Sequence, residues 1–190
     1  YNILRVQTDK DDTGAADGIL QFTNGSSNTV KGEIRYDASE SMFELGHGDN
    51  QGHIRIDGSG RVTTPNQPAF LAYGMSGSTN NSGSYWIFPN AVINTGNCYS
   101  TSTGRFTAPI NGNYIFFATF IGGSANDVYR YRLRKNLNGF PVSSTQMRLD
   151  TAGSTGADYE YGTMAILMNM SVGDYASIYF ESGGNASHSS

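Results

Sequence analysis

FPNAVINTGNCYSTSTGRFTAPINGNYIFF, residues 88–117, is the stretch on which the fold turns. Large rings recur at Phe88, Tyr99, Phe106, Tyr114 and Phe116, with Asn94, Gly96, Gly104 and Gly112 between them. Short apolar runs broken by Asn, Gly, Ser and Thr are the pattern of strands joined by turns. Phe106, Tyr114 and Phe116 can carry apolar surface between two sheets, each buried ring contributing roughly 1.5 to 3 kcal/mol. The three glycines suit turn geometries that a side chain would hinder. Taken alone these residues are structural, and none carries chemistry.

The remainder of the chain agrees with an all-β reading. Its 190 residues include 24 Gly, 12 Tyr and 10 Phe, with few of the Ala, Glu, Lys and Leu runs that build helices. Downstream of residue 68, strands are predicted at Phe70 to Tyr73, Tyr85 to Phe88, Ala91 to Ile93, Tyr114 to Ile121, Val128 to Lys135, Gly139 to Ser143, Tyr161 to Asn169 and Tyr175 to Glu181. Strands at this spacing, separated by Asn-Gly and Ser-Gly turns, argue for a sandwich of two antiparallel sheets. A net charge of −4 with 12 scattered Lys and Arg offers no basic stripe for nucleic acid. No apolar run reaches the roughly 18 to 20 residues of a membrane span. The single Cys98 excludes an intrachain disulfide and reads as a small buried thiol beside Tyr99.

Pro65 and Pro68 mark a division into three parts: residues 1–64, a linker at 65–67, and residues 68–190. The first part carries a repeat, in which Gly32-Glu33-Ile34-Arg35-Tyr36-Asp37 returns as Gly52-His53-Ile54-Arg55-Ile56-Asp57 with a short strand, Met42 to Leu45, between the copies. Such strands bury two or three apolar residues each, so this part is expected to need partner chains to complete its core. The chain starts at Tyr1 rather than Met, which reads as a fragment of a longer chain or a processed product.

The signature of Phe88, Asn94, Tyr99, Phe106, Gly112, Tyr114 and Phe116 resembles that of the C1q domain family, with Ala118 standing where an aromatic residue is usual. The resemblance covers residues 68–190: Pro68-Ala69-Phe70 looks like the entry strand, Leu133-Arg134-Lys135-Asn136 the "KNG" turn with Leu137-Asn138 inserted, and Ser171-Val172-Gly173-Asp174 the late "GD" turn. It implies a C1q/TNF-like jelly roll that binds as a trimer and does not catalyse. It also implies a final strand closing the sheet near the entry strand, whereas this chain runs out at Ala186-Ser187-His188-Ser189-Ser190; a missing segment, or another one supplying the strand, is the expectation. The N-terminal run ending in Ile54-Arg55-Ile56-Asp57-Gly58-Ser59-Gly60-Arg61-Val62 resembles the shaft segments of bacteriophage tail fibres. The two together imply an intertwined β-rich shaft bearing a homotrimeric virion head that attaches to a host-cell glycan or other receptor, joined to other virion proteins through its N-terminal side. A trimerisation clamp or capsid decoration, and a secreted C1q-like signalling protein, are the alternatives.

Candidate sites are few. Asp150 and Asp158 flank the loop 151–157, and carboxylates on a flexible glycine-rich loop can offer calcium its oxygen ligands; some C1q-like members resemble this region and bind calcium near the trimer axis. Tyr159, Tyr129 and Tyr131 are the candidate receptor contacts, since rings stack on sugar faces; the alternation with Arg130 and Arg132 sends one of the two pairs toward the core. His47 and His53 lack a zinc-ligand spacing. No Gly-x-Ser-x-Gly elbow is present and no basic residue near Cys98 activates it, so no enzyme is expected.

Overall fold

The computed structural model describes residues 18–23, 30–47, 50–74, 79–80, 83–122, 128–136, 146–150, 160–182 and 186–187. The chain divides into two compact units, Tyr1–Gln67 and Pro68–Ser190.

In the first unit β1 (Gly18–Thr23), β2 (Val30–Asp37), β3 (Met42–His47), β4 (Asn50–Ile56) and β5 (Val62–Thr63) follow one another in a five-stranded antiparallel meander. The repeat explains the register. Its two copies, in β2 and β4, flank β3 on opposite sides and meet it at the same residues: Ile34 and Ile54 both face Leu45, Arg35 and Arg55 both face Glu44, and Tyr36 and Ile56 both face Phe43. Because side chains alternate across a strand, this puts charge on one face and apolar groups on the other. Glu44 is 2% exposed, with Arg55 Nε 2.9 Å from its carboxylate.

Each copy ends in the same turn. Asp37 Oδ1 accepts from the Ser39 and Glu40 amides, and Asp57 Oδ1 accepts from the Ser59 and Arg61 amides. These Asx turns hold both carboxyls below their ordinary range, through Ser39 and Glu40 at the first and Arg61 at the second.

The second unit contains β6 (Ala69–Tyr73), β7 (Thr79–Asn80), β8 (Ser84–Tyr85), β9 (Asn90–Thr95), β10 (Tyr99–Ser100), β11 (Arg105–Thr107), β12 (Gly112–Gly122), β13 (Val128–Lys135), β14 (Gln146–Asp150), β15 (Glu160–Met170), β16 (Tyr175–Ser182) and β17 (Ala186–Ser187). A six-stranded sheet runs β10-β11-β16-β13-β14, with β8 also on β16; β12 pairs with β15, β6 with β9 and β7 with β17. The inward faces of these layers meet in one core. Of the strands predicted from sequence, 85–88 shortens to β8, and 139–143 lies outside the described residues.

The core has two aromatic groups. Around the signature, Phe70 stacks on Tyr99 at 4.9 Å between ring centres and on Phe106 at 5.3 Å, and Phe106 meets Phe116 edge-on at 5.3 Å. Around the single tryptophan, Trp86 packs edge-on to Tyr131 at 4.8 Å, and Tyr131 stacks on Phe120 at 4.2 Å and on Phe180 at 5.1 Å. Gly104 lets these parts approach: its φ is +67°, and a Cβ there would overlap the Trp86 carbonyl oxygen and lie 3.1 Å from Ile87 Cα. Gly112, read as a turn glycine, is instead the first residue of β12.

A cavity of about 700 Å³ adjoins the signature group. Phe70, Leu71 and Ala72 of β6 and Ile115, Phe116 and Phe117 of β12 all border it. Successive residues of a strand point to opposite faces, so a space that touches neighbours on both strands looks onto strand edges. Among the described residues β6 pairs only with β9 and β12 only with β15, while β17 pairs with β7.

Candidate functional site

The signature residues are wired to one another. The Asn94 side chain spans the backbone of Tyr99, accepting from its amide at 2.9 Å and donating to its carbonyl at 2.8 Å. The Tyr99 hydroxyl meets both the amide and the carbonyl of Phe88 at 3.2 Å. Burial raises the Tyr99 phenol and the Cys98 thiol above their usual values, so both stay neutral. Cys98 is buried and unpaired, with Sγ 3.8 Å from the Ala69 carbonyl. This set fixes geometry and offers no reactive group.

The two downstream phrases are also structural, and the fold brings them together. Asp174 accepts from Lys135 at 2.6 Å, from Asn136 Nδ2 at 2.8 Å and from the Ser171 amide at 2.8 Å. Asn136, with φ +47°, accepts the Tyr175 amide at 2.9 Å. Lys135 foremost, then Asn136 and the Ser171 amide, hold the Asp174 carboxyl at about 2. The "KN" and "GD" phrases are thus two halves of one knot closing the ends of β13 and β16.

The candidate receptor contacts separate. Tyr131 is 0% exposed and enclosed by Trp86, Phe120 and Phe180. It is a core residue, which corrects its assignment to receptor binding; the alternation along β13 sends Arg132 to the opposite face. Tyr129 lies on β13 opposite Leu149. Asp150, the last residue of β14, pairs with Val128. Asp158 and Tyr159 lie outside the described residues. His47 is exposed at the end of β3, and His53 Nδ1 is 3.4 Å from Asn66 Nδ2.

Sequence reasoning missed the outer face of the β12 and β15 pair. Ile115, Phe117 and Leu167 are 61, 69 and 70% exposed there, with Ile115 facing Leu167 and Phe117 facing Ala165. Polar pairs bound this band at both ends: Asn169 donates to Asn113 at 2.9 Å, and the Thr119 and Thr163 hydroxyls lie 3.3 Å apart. Alternation within Tyr114 to Phe117 foretells one outward ring, but not that a second strand would widen it into a patch.

One family is shown by comparison with known proteins. A C1q domain profile matches residues 69–187. Among solved structures, the globular domain of zebrafish complement 1qA protein is similar, at 17% identity and a TM-score of 0.49 over 64% of this chain and 90% of that one. No curated protein sequence matches. The family match corrects the virion reading: it is to the C1q domain, so the tail-fibre, adhesin and host-attachment expectation gives way to a C1q-like recognition domain.

Proposed function

The chain belongs to the C1q domain family, and from that premise we propose that it is a secreted C1q-like binding protein that works as a homotrimer, with residues 68–190 as its recognition head and the N-terminal sheet as a stem. The family is one of non-catalytic recognition modules, and this protein is not an enzyme. The observation that carries the assembly is the apolar band of Ile115, Phe117 and Leu167, bounded by polar pairs. Contiguous exposed apolar surface with a polar rim marks an interaction site, and a second and third copy of the same chain supply matching bands.

The stem supports the same reading. Leu20, Phe22, Tyr36, Phe43, Leu45 and Ile54, on the apolar face of the five-stranded sheet, are between 36 and 57% exposed. Three such faces turned toward one axis would supply the second layer that a single sheet lacks. Three copies of the head in one assembly strengthen weak contacts by avidity. Tyr159 and Tyr129 are the proposed receptor contacts, and Asp150 with Asp158 the proposed calcium pair. A melting curve that does not move with millimolar calcium would remove the metal.

Sedimentation equilibrium of the purified chain tests the assembly. A mass of three chains that falls toward one in Phe117→Lys is the expected result; a monomer at micromolar concentration ends the trimer reading. A second reading, in which the head is chiefly a trimerisation clamp, is favoured by the band alone. Removing residues 68–190 separates the two, because loss of a clamp leaves the stem unassembled.

A further inference from the structure

β4 repeats the sequence of β2, yet the two strands are covered unequally on the side away from β3. Along β2 runs the six-residue β1, with Leu20 opposite Ile34, Gln21 opposite Glu33 and Phe22 opposite Gly32. The corresponding residues of β4 are Ile54, His53 and Gly52. There β5 is two residues long and pairs only with Arg55 and Ile56. Among the described residues, the far side of β4 is therefore unpaired from Asn50 to Ile54, and β1 pairs only with β2.

Open sheet edges are ordinarily guarded by Lys, by Pro or by shortness. β1 is Gly18-Ile19-Leu20-Gln21-Phe22-Thr23, with neither a charge nor a proline, and the open part of β4 reads Asn50-Gln51-Gly52-His53-Ile54. Both edges are built to be paired. Phe22 shows what β1 does for the strand beside it. Its Cδ2 lies 3.9 Å from the point where a Cβ on Gly32 would stand, so the ring covers the room that the glycine leaves. Gly52 leaves the same room on β4, and Phe22, 57% exposed, has ring surface to spare.

We propose that β1 of a second protomer pairs along the far side of β4, in the register that β1 already uses on β2. Leu20 of that protomer then faces Ile54, Gln21 faces His53, and Phe22 covers Gly52. The strand directions agree. β2 and β4 both run antiparallel to β3, so β1 meets β4 antiparallel when the protomers are related by rotation about an axis along the strands. The faces agree too, since this register sets Leu20 and Phe22 beside Ile54 on the apolar side. Repeated around the axis, the contact joins the sheets edge to edge in a closed ring with its apolar side inward, and neither edge stays open. The proposal rests on the homotrimer for the number of protomers, and adds which strand edges join them.

A covalent trap in the full chain is the test. Within one protomer, residues 21 and 53 lie on β1 and β4, three strand spacings or about 14 Å apart. A disulfide spans at most about 7 Å between Cα atoms, so a bond between these positions joins two protomers. Gln21→Cys combined with His53→Cys, oxidised with glutathione disulfide, should give a three-chain band that reductant abolishes. Mass spectrometry should find the 21–53 link between isotopically light and heavy protomers, and neither single variant should give the band. Hydrogen exchange of the unaltered chain is the second measurement: amides in residues 20–23 and 50–54 should slow about tenfold or more on assembly. A three-chain mass with no 21–53 link, or with fast exchange at both edges, overturns the proposal and leaves the trimer standing. A 21–53 link in an assembly of another size supports the edge pairing and removes the number three. A monomer at micromolar concentration removes both.

Discussion

Among the described residues, the largest fully enclosed side chains of the C-terminal unit are Tyr131, Phe120 and Phe180, whereas in the N-terminal unit the best-enclosed is a carboxylate, Glu44, and Phe22, Tyr36 and Phe43 stand 57, 50 and 40% exposed. The difference is one of layers. A sheet with a second layer over its apolar face buries rings; among the described residues the meander has no such layer, and its enclosed groups lie on the charged face, where Arg55 lies along Glu44. The first unit is therefore held by its strand ladder and its ion pairs, and the second by its core. Chain concentration should matter more to the first than to the second.

Replacing Tyr131 by Ala should break this contrast most severely. The stacked group of Trp86, Phe120 and Phe180 would lose its centre, at a cost of about 3 to 5 kcal/mol. Urea unfolding followed by Trp86 fluorescence reads it, and an effect below about 1 kcal/mol would mean that the core is not where the second unit's stability resides.

Gly104→Ala comes next, at about 1 to 3 kcal/mol, because a positive φ and the overlap with the Trp86 carbonyl act together. The same unfolding curve measures it, and an unchanged midpoint would show that the Trp86 segment moves aside freely. Glu44→Gln should cost the first unit about 1 to 2 kcal/mol, since its Arg55 partner is one-third exposed and water compensates part of the lost charge. Amide exchange in β2 to β4 reports that loss, and β12 and β15 should be unaffected. The same amides should gain protection as chain concentration rises; protection independent of concentration would show that the apolar face needs no partner.

The smallest effect is in acid. Asp174 is held at about 2 against an ordinary value of 3.8. A lowered carboxyl favours the folded state above the unfolded value and loses that contribution as protons bind. Stability of the second unit should therefore fall between pH 3.8 and about 2. Asp174→Asn should flatten that slope, and an unaltered slope would remove the Lys135 and Asn136 knot as its source.

Much of the fold was legible in the sequence because rings and turn residues report burial and chain reversal locally. Phe88, Asn94, Tyr99 and Phe106 lie within nineteen residues, and their contacts close over that distance. The short strands β10 and β11 left no periodicity to read, being two and three residues long. Alternation along β13 showed that either the Tyr or the Arg set faces inward, but parity alone does not say which, and Tyr131 was misread for that reason. β11 and β13 both pair with β16, which brings Arg105 and Arg134 to either side of Ser177 through a strand order that no local pattern encodes.

The duplicated strand has a kinetic meaning as well. Since β2 and β4 offer β3 the same partners at Leu45, Glu44 and Phe43, the meander has two interchangeable hairpins from which folding can begin, each closing over a short loop. Damage to one copy leaves the other nucleus intact. Substitutions in β2 or β4 alone should then speed unfolding more than they slow folding, while substitutions in β3, shared by both hairpins, should slow folding itself.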